Sequence, residues 1–287
     1  MNQRDGRKRA VITGANGGMG RALARSFGET MDLVLVDIME APLAGFAGEL
    51  RDGGYTVSAA IAGDLGDEAV LGKVVEAATS GGGLGAVVHT AALSPAAGTR
   101  WDRIMTVNLV ATEKFLRALD PVVSAGSPVI VISSNSAYFA PITPEISEII
   151  LDPLAPNLLA RIAPHIDQLG GAEDEMERAS IAYMFSKWAV IELCARRAPH
   201  WIRRGARLVT ISPGMANTPM GRAERESNPR AAAFIDTCQA GRWVTPMDIV
   251  GAARFLASDA ASFISGCDIR VDGAGVPAMQ AELALNG

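Results

Sequence analysis

The chain of 287 residues holds only three cysteines, Cys194, Cys238 and Cys267, and no two of them form a C-x-x-C pair. An odd, widely spaced set excludes a disulfide framework and a thiolate zinc site, and a reducing cytoplasm is the expected compartment. Histidine is as scarce: His89, His165 and His200 have no partners at metal-ligand spacing, and no metal is expected. No run of about eighteen apolar residues occurs, so nothing is expected to cross a membrane. The opening MNQRDGRKRA is polar and basic, and the apolar run after it, Ala10 to Ile12, is too short for a secretory signal core. Excess positive charge is also missing. A formal net charge of -5 argues against nucleic acid as the main partner.

What is present is apolar and regular. Hydrophobic residues make up 49% and charged residues 20%, enough to bury a core and too apolar for disorder. Apolar runs expected as strands fall at Arg9–Thr13, Leu33–Asp37, Thr56–Ala60, Gly85–His89, Pro128–Ile132, Arg207–Ile211 and Asp268–Val271. Helical spacing lies between them, over Gly18–Glu29, Glu40–Arg51, Asp67–Thr79, Thr99–Leu119, Ser180–Arg204 and Thr245–Ala257. This alternation reads as an α/β fold with a doubly wound parallel sheet covered on both faces. No repeat or linker divides it, so residues 1–287 are read as one domain. Two stretches break the rhythm: a proline-rich insertion at about 137–180, with a helical stretch near Leu154–Leu169, and an excursion at about 215–240 expected to hold short helices.

Thr13–Gly20 reads TGANGGMG between the first strand and the first helix. Glycine permits the tight turn and the approach of a pyrophosphate, and the helix N-terminus offers free N–H groups. The spacing of Gly14, Gly18 and Gly20 differs from G-x-G-x-x-G, and an ordinary strand–helix turn reads the same way. Asp37 ends the second strand, 17 residues after Gly20. An acid there can accept from adenosine ribose hydroxyls and repel a 2′-phosphate, which favours NAD over NADP. With Gly17 and Ile38 nearby, no basic residue stands ready to welcome that phosphate. A solvated strand-end residue is the other reading of Asp37.

Tyr183 and Lys187 in AYMFSK are four apart and share a helix face. A free phenol titrates near 10 and is a poor base at neutral pH, and a neighbouring ammonium or an oxidised nicotinamide favours its phenolate. By itself the pair reads equally as an interfacial tyrosine and a solvated lysine. Ser133 and Ser134 follow the PVIVI strand, where ligands of such sheets sit, and read alone they are turn serines. Asn108, in the long helix before that strand, can bind backbone, organise a water or simply occupy a helix face.

The set resembles the short-chain dehydrogenase/reductase family over almost the whole chain. The resemblance rests on TGANGGMG, Asp37, Asp64-Leu65, Asn108, Ile132-Ser133-Ser134, Tyr183–Lys187, SPGMANT at Ser212–Thr218 and VDG at Val271–Gly273, in that order. It implies a Rossmann fold with a catalytic tetrad of Asn108, Ser134, Tyr183 and Lys187. Ser134 would position the substrate oxygen, Tyr183 exchange its proton, Lys187 lower the phenol pKa and Asn108 hold a water leading to solvent. It also implies an NAD site lined by Gly14, Asn16, Gly18, Met19, Gly20, Asp37, Asp64, Leu65, Ala91, Tyr183, Lys187, Pro213, Gly214 and Thr218. Ser133 is out of register for the catalytic serine.

Two departures stand out. The family's Asn-Asn-Ala-Gly is here His89-Thr90-Ala91-Ala92, with a methyl group added at the glycine position. His89 reads as a satisfied strand-end residue rather than a catalytic one. Ser134 and Tyr183 are 49 positions apart, a longer gap than simple members have. In this the chain resembles the bacterial 3α-hydroxysteroid dehydrogenase/carbonyl reductase branch. The insertion's apolar residues, Phe139, Ile142, Ile146, Ile149, Ile150, Leu151, Leu154, Leu158 and Leu159, either wall a pocket for a bulky apolar alcohol or ketone, or pack on themselves or a partner subunit. A homodimer or homotetramer is implied by the resemblance. The rivals to an NAD-dependent alcohol dehydrogenase or carbonyl reductase are an NAD-dependent epimerase and a non-catalytic NAD-sensing module.

Overall fold

The computed structural model describes residues 6–228 and 239–286. Cys238 and most of the later half of the 215–240 excursion lie outside the described residues. Seven strands, β1 (Arg9–Thr13), β2 (Asp32–Asp37), β3 (Val57–Ala62), β4 (Leu84–His89), β5 (Pro128–Ile132), β6 (Arg207–Pro213) and β7 (Asp268–Val271), form one parallel sheet. The order is β3-β2-β1-β4-β5-β6-β7. The winding reverses between β1 and β4, and such a reversal opens a crevice beyond the strand carboxyl ends.

Each central strand is apolar throughout because both of its faces are covered. Ala10, Ile12, Leu33, Leu35, Val88 and Ile130 face one layer, built with α1 (Gly18–Gly28), α2 (Glu40–Asp52) and the later helix Pro246–Ala257. Val11, Val34, Val36, Val87, Val129 and Leu208 face the other. That second layer holds α3 (Glu68–Thr79) and a composite helix made of α4 (Trp101–Ile104), a π-helical stretch Met105–Ala111 and α5 (Thr112–Leu119). The expected strands and helices are all present to within a few residues, except that the expected uniform helix Thr99–Leu119 contains the π stretch.

The insertion folds into a 3-10 turn at Asn135–Phe139, α6 (Pro144–Ile150) and α7 (Leu158–Gly170). Thr143 starts α6, its Oγ1 accepting from the N–H of Ile146 at 3.2 Å, with Pro144 at the first helical position. Ile146, Ile149 and Ile150 on α6, and Leu158, Ile162 and Ile166 on α7, are buried against α8 (Glu175–Ile202). The self-packed alternative is therefore the one the structure adopts for these residues. They do not reach the cavity described below, and of the named apolar residues only Phe139 does.

Helix α8 begins five residues before the expected Ser180. Asp174 caps it, accepting from the N–H of Glu177 at 3.1 Å. The charged run Glu173–Arg178, which in sequence reads as a solvated face, makes specific contacts. Glu175 accepts from the Trp101 N–H at 2.8 Å, and Arg178 pairs with Asp167 on α7 at 2.8 Å. The last elements are α9 (Pro219–Ser227), α10 (Pro246–Ala257) and α11 (Gly275–Asn286).

Candidate active site

A cavity of about 730 Å³ opens at the β1/β4 reversal. Its walls include Gly14, Asn16, Gly18, Met19, Gly20, Asp37, Asp64, Leu65, Ala91, Ser134, Tyr183, Lys187, Pro213, Gly214 and Thr218. Every residue expected at the site is thus on one surface, apart from Asn108.

The glycine loop is shaped by close approach. Gly14 has φ +64°, and a Cβ there would lie 2.8 Å from the Ala91 nitrogen. A Cβ on Gly20 would lie 2.1 Å from the Gly14 carbonyl oxygen, and one on Gly18 2.9 Å from the Thr218 methyl carbon. These distances leave room for backbone and for little else, which suits a loop that lies against a pyrophosphate. Gly20→Ala is expected to weaken NADH binding at least about tenfold, or about 1.4 kcal/mol, because the obstacle is backbone and cannot rotate away. A fluorescence titration beside a melting curve measures both binding and fold.

At the β2 end of the cavity, the Asp37 carboxylate accepts from the N–H of Asn16 at 2.9 Å and of Met39 at 3.2 Å. It is half-buried at the cavity wall, so it is not the merely solvated strand-end residue of the alternative reading. Asp64 accepts from the Gly66 N–H at 2.7 Å, and Leu65 lies buried beside it. Ile38 and Met39, both exposed, also line this end.

At the other end, the Ser134 hydroxyl accepts from the Ser136 N–H at 3.2 Å and from the Ser136 hydroxyl at 3.0 Å. The same hydroxyl stands close enough to the Tyr183 phenol to pull its pKa down. Ser133 turns away and donates to the Lys187 carbonyl at 2.9 Å, a structural bond that agrees with its exclusion from the catalytic register. The Lys187 ammonium is buried, donates to the Ile132 carbonyl at 3.1 Å and sits 5.6 Å from the Tyr183 ring centroid.

Burial pushes the Tyr183 phenol above its ordinary value. The Glu224 charge pushes the same way, and the Ser134 hydrogen bond pulls it down. Burial pulls Lys187 down to about 8 against the attraction of Glu224. The expected lowering of the phenol pKa by Lys187 is therefore not present in the protein alone. Burial disfavours the phenolate, and the phenol is held protonated.

Asn108 stands behind the cavity wall on the π-helical stretch. Its Oδ1 accepts from the Leu93 N–H at 2.7 Å, and its Nδ2 donates to the Leu93 carbonyl at 2.9 Å and to the Ser186 hydroxyl at 3.4 Å. Both amide hydrogens are engaged, so its visible work is to pin the Leu93 backbone, the backbone-binding alternative of the sequence. His89 is likewise satisfied: its ring nitrogens meet the Thr13 hydroxyl at 2.7 Å and the Thr112 hydroxyl at 2.9 Å. Burial, with Lys187 adding to it, lowers its pKa to about 3, so it is neutral at physiological pH. The added methyl of Ala92 causes no backbone strain, since the only described non-glycine residue at positive φ is Ala274. Burial pushes the Cys194 thiol up to about 12, as expected for a packing residue.

The reading of the sequence missed Glu224. It lies half-buried in α9 and lines the cavity with Met220 and Asn228. Residues 220, 224 and 228 share one helix face by their spacing of four, the signal that was available.

A parallel sheet with a glycine loop and a facing acid at its reversal point defines a dinucleotide-binding protein. Comparison narrows this class. A family profile described as short chain dehydrogenase matches residues 8–143, and one described as enoyl-(acyl carrier protein) reductase matches residues 169–275. The short-chain dehydrogenase/reductase bsc3 of Alternaria brassicicola is 30% identical over 268 residues, 92% of this chain and 93% of that protein. The galactitol 2-dehydrogenase (L-tagatose-forming) of Cereibacter sphaeroides is 29% identical over the same coverage. The 3beta-hydroxysteroid dehydrogenase 1 of Eggerthella lenta is 28% identical over 93% of this chain and 92% of that one. Among solved structures, a putative NAD(P) dependent gluconate 5-dehydrogenase from Beutenbergia cavernae with bound NADP is 28% identical, with a TM-score of 0.69 over 94% of this chain and 97% of that one. The chain belongs to the short-chain dehydrogenase/reductase family, oxidoreductases that use a nicotinamide cofactor.

Proposed function

We propose that this protein is an NAD(H)-dependent oxidoreductase that interconverts a secondary alcohol and a ketone on a bulky, cyclic carbon skeleton. The observation that carries the reading is that Ser134, Tyr183 and buried Lys187 line the same cavity as the glycine loop and Asp37, with the Lys187 ammonium 5.6 Å from the Tyr183 ring centroid. The cofactor fits the residues present: the loop leaves no room for a Cβ at Gly20, and Asp37 faces the adenosine end. When bound, the nicotinamide ring supplies the acceptor or donor of the hydride.

The chain's own residues do the rest. Ser134 holds the substrate oxygen beside the phenol, and Tyr183 gives that oxygen a proton in ketone reduction and takes it back in alcohol oxidation. Lys187 orients the nicotinamide ribose and offsets negative charge as the phenolate forms. Asn108 acts one layer back, fixing the Leu93 backbone at the wall. Met184, Met215, Met220, Met279, Leu93 and Phe139 give the substrate end an apolar, adaptable lining, which supports a bulky substrate without help from α6 and α7.

The preference for NAD rests on Asp37. A 2′-phosphate would meet its carboxylate, although the gluconate 5-dehydrogenase relative binds NADP. We further carry residues 1–287 as one domain acting as a homodimer or homotetramer. The test is optical: NAD⁺ reduction against a panel of cyclic alcohols that includes hydroxysteroids. NADH formation with cyclic secondary alcohols supports the reading, and its absence across the panel overturns it. Net NADH formation also separates a dehydrogenase from an epimerase, which returns its cofactor unchanged.

A further inference from the structure

Glu224 is a carboxylate in the substrate end of a cavity that is otherwise mostly apolar. It comes from α9, and its charge acts on both Tyr183 and Lys187, which places it at the reacting end rather than with the adenosine. Burial lifts its own pKa to about 7 while Lys187 pulls the other way. Among the described residues no hydrogen bond occupies its side chain. The same cavity is lined by Ser180 and Asn228, joined by a 3.2 Å hydrogen bond from the Asn228 Nδ2 to the Ser180 hydroxyl. Its carboxylate lines the cavity without a donor from the described residues, so a ligand that displaces solvent there has to supply one.

We propose that Glu224 is a specificity-determining residue whose carboxylate accepts a hydrogen bond from a second hydroxyl, on the carbon next to the reacting one, so that the preferred substrate is a cyclic vicinal diol or hydroxyketone. The proposal rests on the reading above that Tyr183 and Ser134 hold the reacting oxygen. With that oxygen fixed, the neighbouring carbon is the part of the substrate brought to the α9 side. The apolar lining takes the ring, and Glu224 takes the hydroxyl. An apolar mono-alcohol fills the same space but leaves the carboxylate without a donor, which lowers its kcat/KM.

The experiment measures kcat/KM with saturating NAD⁺ for cyclohexanol, trans vicinal cyclohexanediol and the matching trans amino alcohol. Wild type, Glu224→Gln and Glu224→Leu are compared after melting curves confirm folding. Wild type is expected to favour the diol over cyclohexanol. Glu224→Leu is expected to cut that ratio by about tenfold to a hundredfold, the range for a hydrogen bond to a charged group, and Glu224→Gln to fall between. A ratio unchanged in Glu224→Leu, with cyclohexanol still oxidised, overturns the role of Glu224 and leaves the dehydrogenase reading standing. A wild-type preference for the amino alcohol over the diol also overturns it, because the carboxylate would then select a cation. No NADH from any of the three overturns this inference, and the dehydrogenase reading falls with it only where the wider panel of cyclic alcohols, hydroxysteroids included, also gives none.

Discussion

Tyr183→Phe is expected to lower kcat for alcohol oxidation by about a thousandfold or more while leaving NADH affinity nearly unchanged. The substitution removes one oxygen and keeps the ring that packs at the cavity wall. Acid–base groups held at the reacting atom contribute about 10²–10⁴-fold, and the neighbouring hydroxyl and imidazole groups are already engaged. Ser134 is engaged with Ser136, Ser133 with the Lys187 carbonyl, and His89 is buried between two threonines. The same geometry sets the pH dependence. Burial raises the Tyr183 pKa, so the phenol is the resting form, which is the form ketone reduction uses. Oxidation requires the phenolate, and its rate is expected to rise with pH. Reduction is expected to fall on the alkaline side as the proton is lost. Steady-state rates in both directions across pH, with a binding titration of the variant, check both statements. Turnover by Tyr183→Phe near the wild-type rate would mean that another group moves the proton.

Asp37→Ala is expected to reduce the preference for NADH over NADPH by about a hundredfold or more. Two effects act in the same direction. The ribose hydroxyls lose a charged acceptor, about 1.5–3 kcal/mol, and a 2′-phosphate no longer meets a like charge. Because Asp37 also holds the N–H groups of Asn16 and Met39, part of the loss with NADH reflects a loosened loop. Asp37→Asn separates the contributions: it retains an acceptor for the loop while removing the charge that repels phosphate. The Asn variant is expected to gain NADPH activity with a smaller loss of NADH activity. Wild-type kcat/KM values that are equal for NADH and NADPH would contradict the account of Asp37.

Much of the fold was legible because a doubly covered parallel sheet writes itself as short, nearly continuous apolar runs. VIT after Arg9, LVLVD and PVIVI leave no polar face to confuse the period. The residues of the site were legible where chemistry constrains them to loop glycines, strand ends and a spacing of four on a helix. What was not legible depends on the environment. The π-helical stretch Met105–Ala111 has no signature in composition, and it sets where Asn108 points. Apolar residues of the insertion demanded cover, but their sequence could not distinguish a pocket wall from α8 as the surface they meet. The charged Glu173–Arg178 looked solvated because its partners, Trp101 and Asp167, are distant or on another helix. Glu224 was hidden for the same reason: MGRAERES reads as a surface helix until its fold position turns one face toward Tyr183. The direction of the Tyr183 pKa also required the structure, because a sequence shows a neighbouring lysine but not the burial that raises the phenol.

The central claim is that hydride passes straight from the substrate's carbinol carbon to the nicotinamide while Tyr183 handles only the proton. The measurement that tests it most directly uses a cyclic alcohol substrate carrying deuterium on the carbinol carbon, with mass analysis of the reduced cofactor. The account expects the deuterium in the reduced cofactor, undiluted by solvent hydrogen, and a rate that falls with the label and collapses in Tyr183→Phe. Reduced cofactor without the label, or label lost to water, would contradict it.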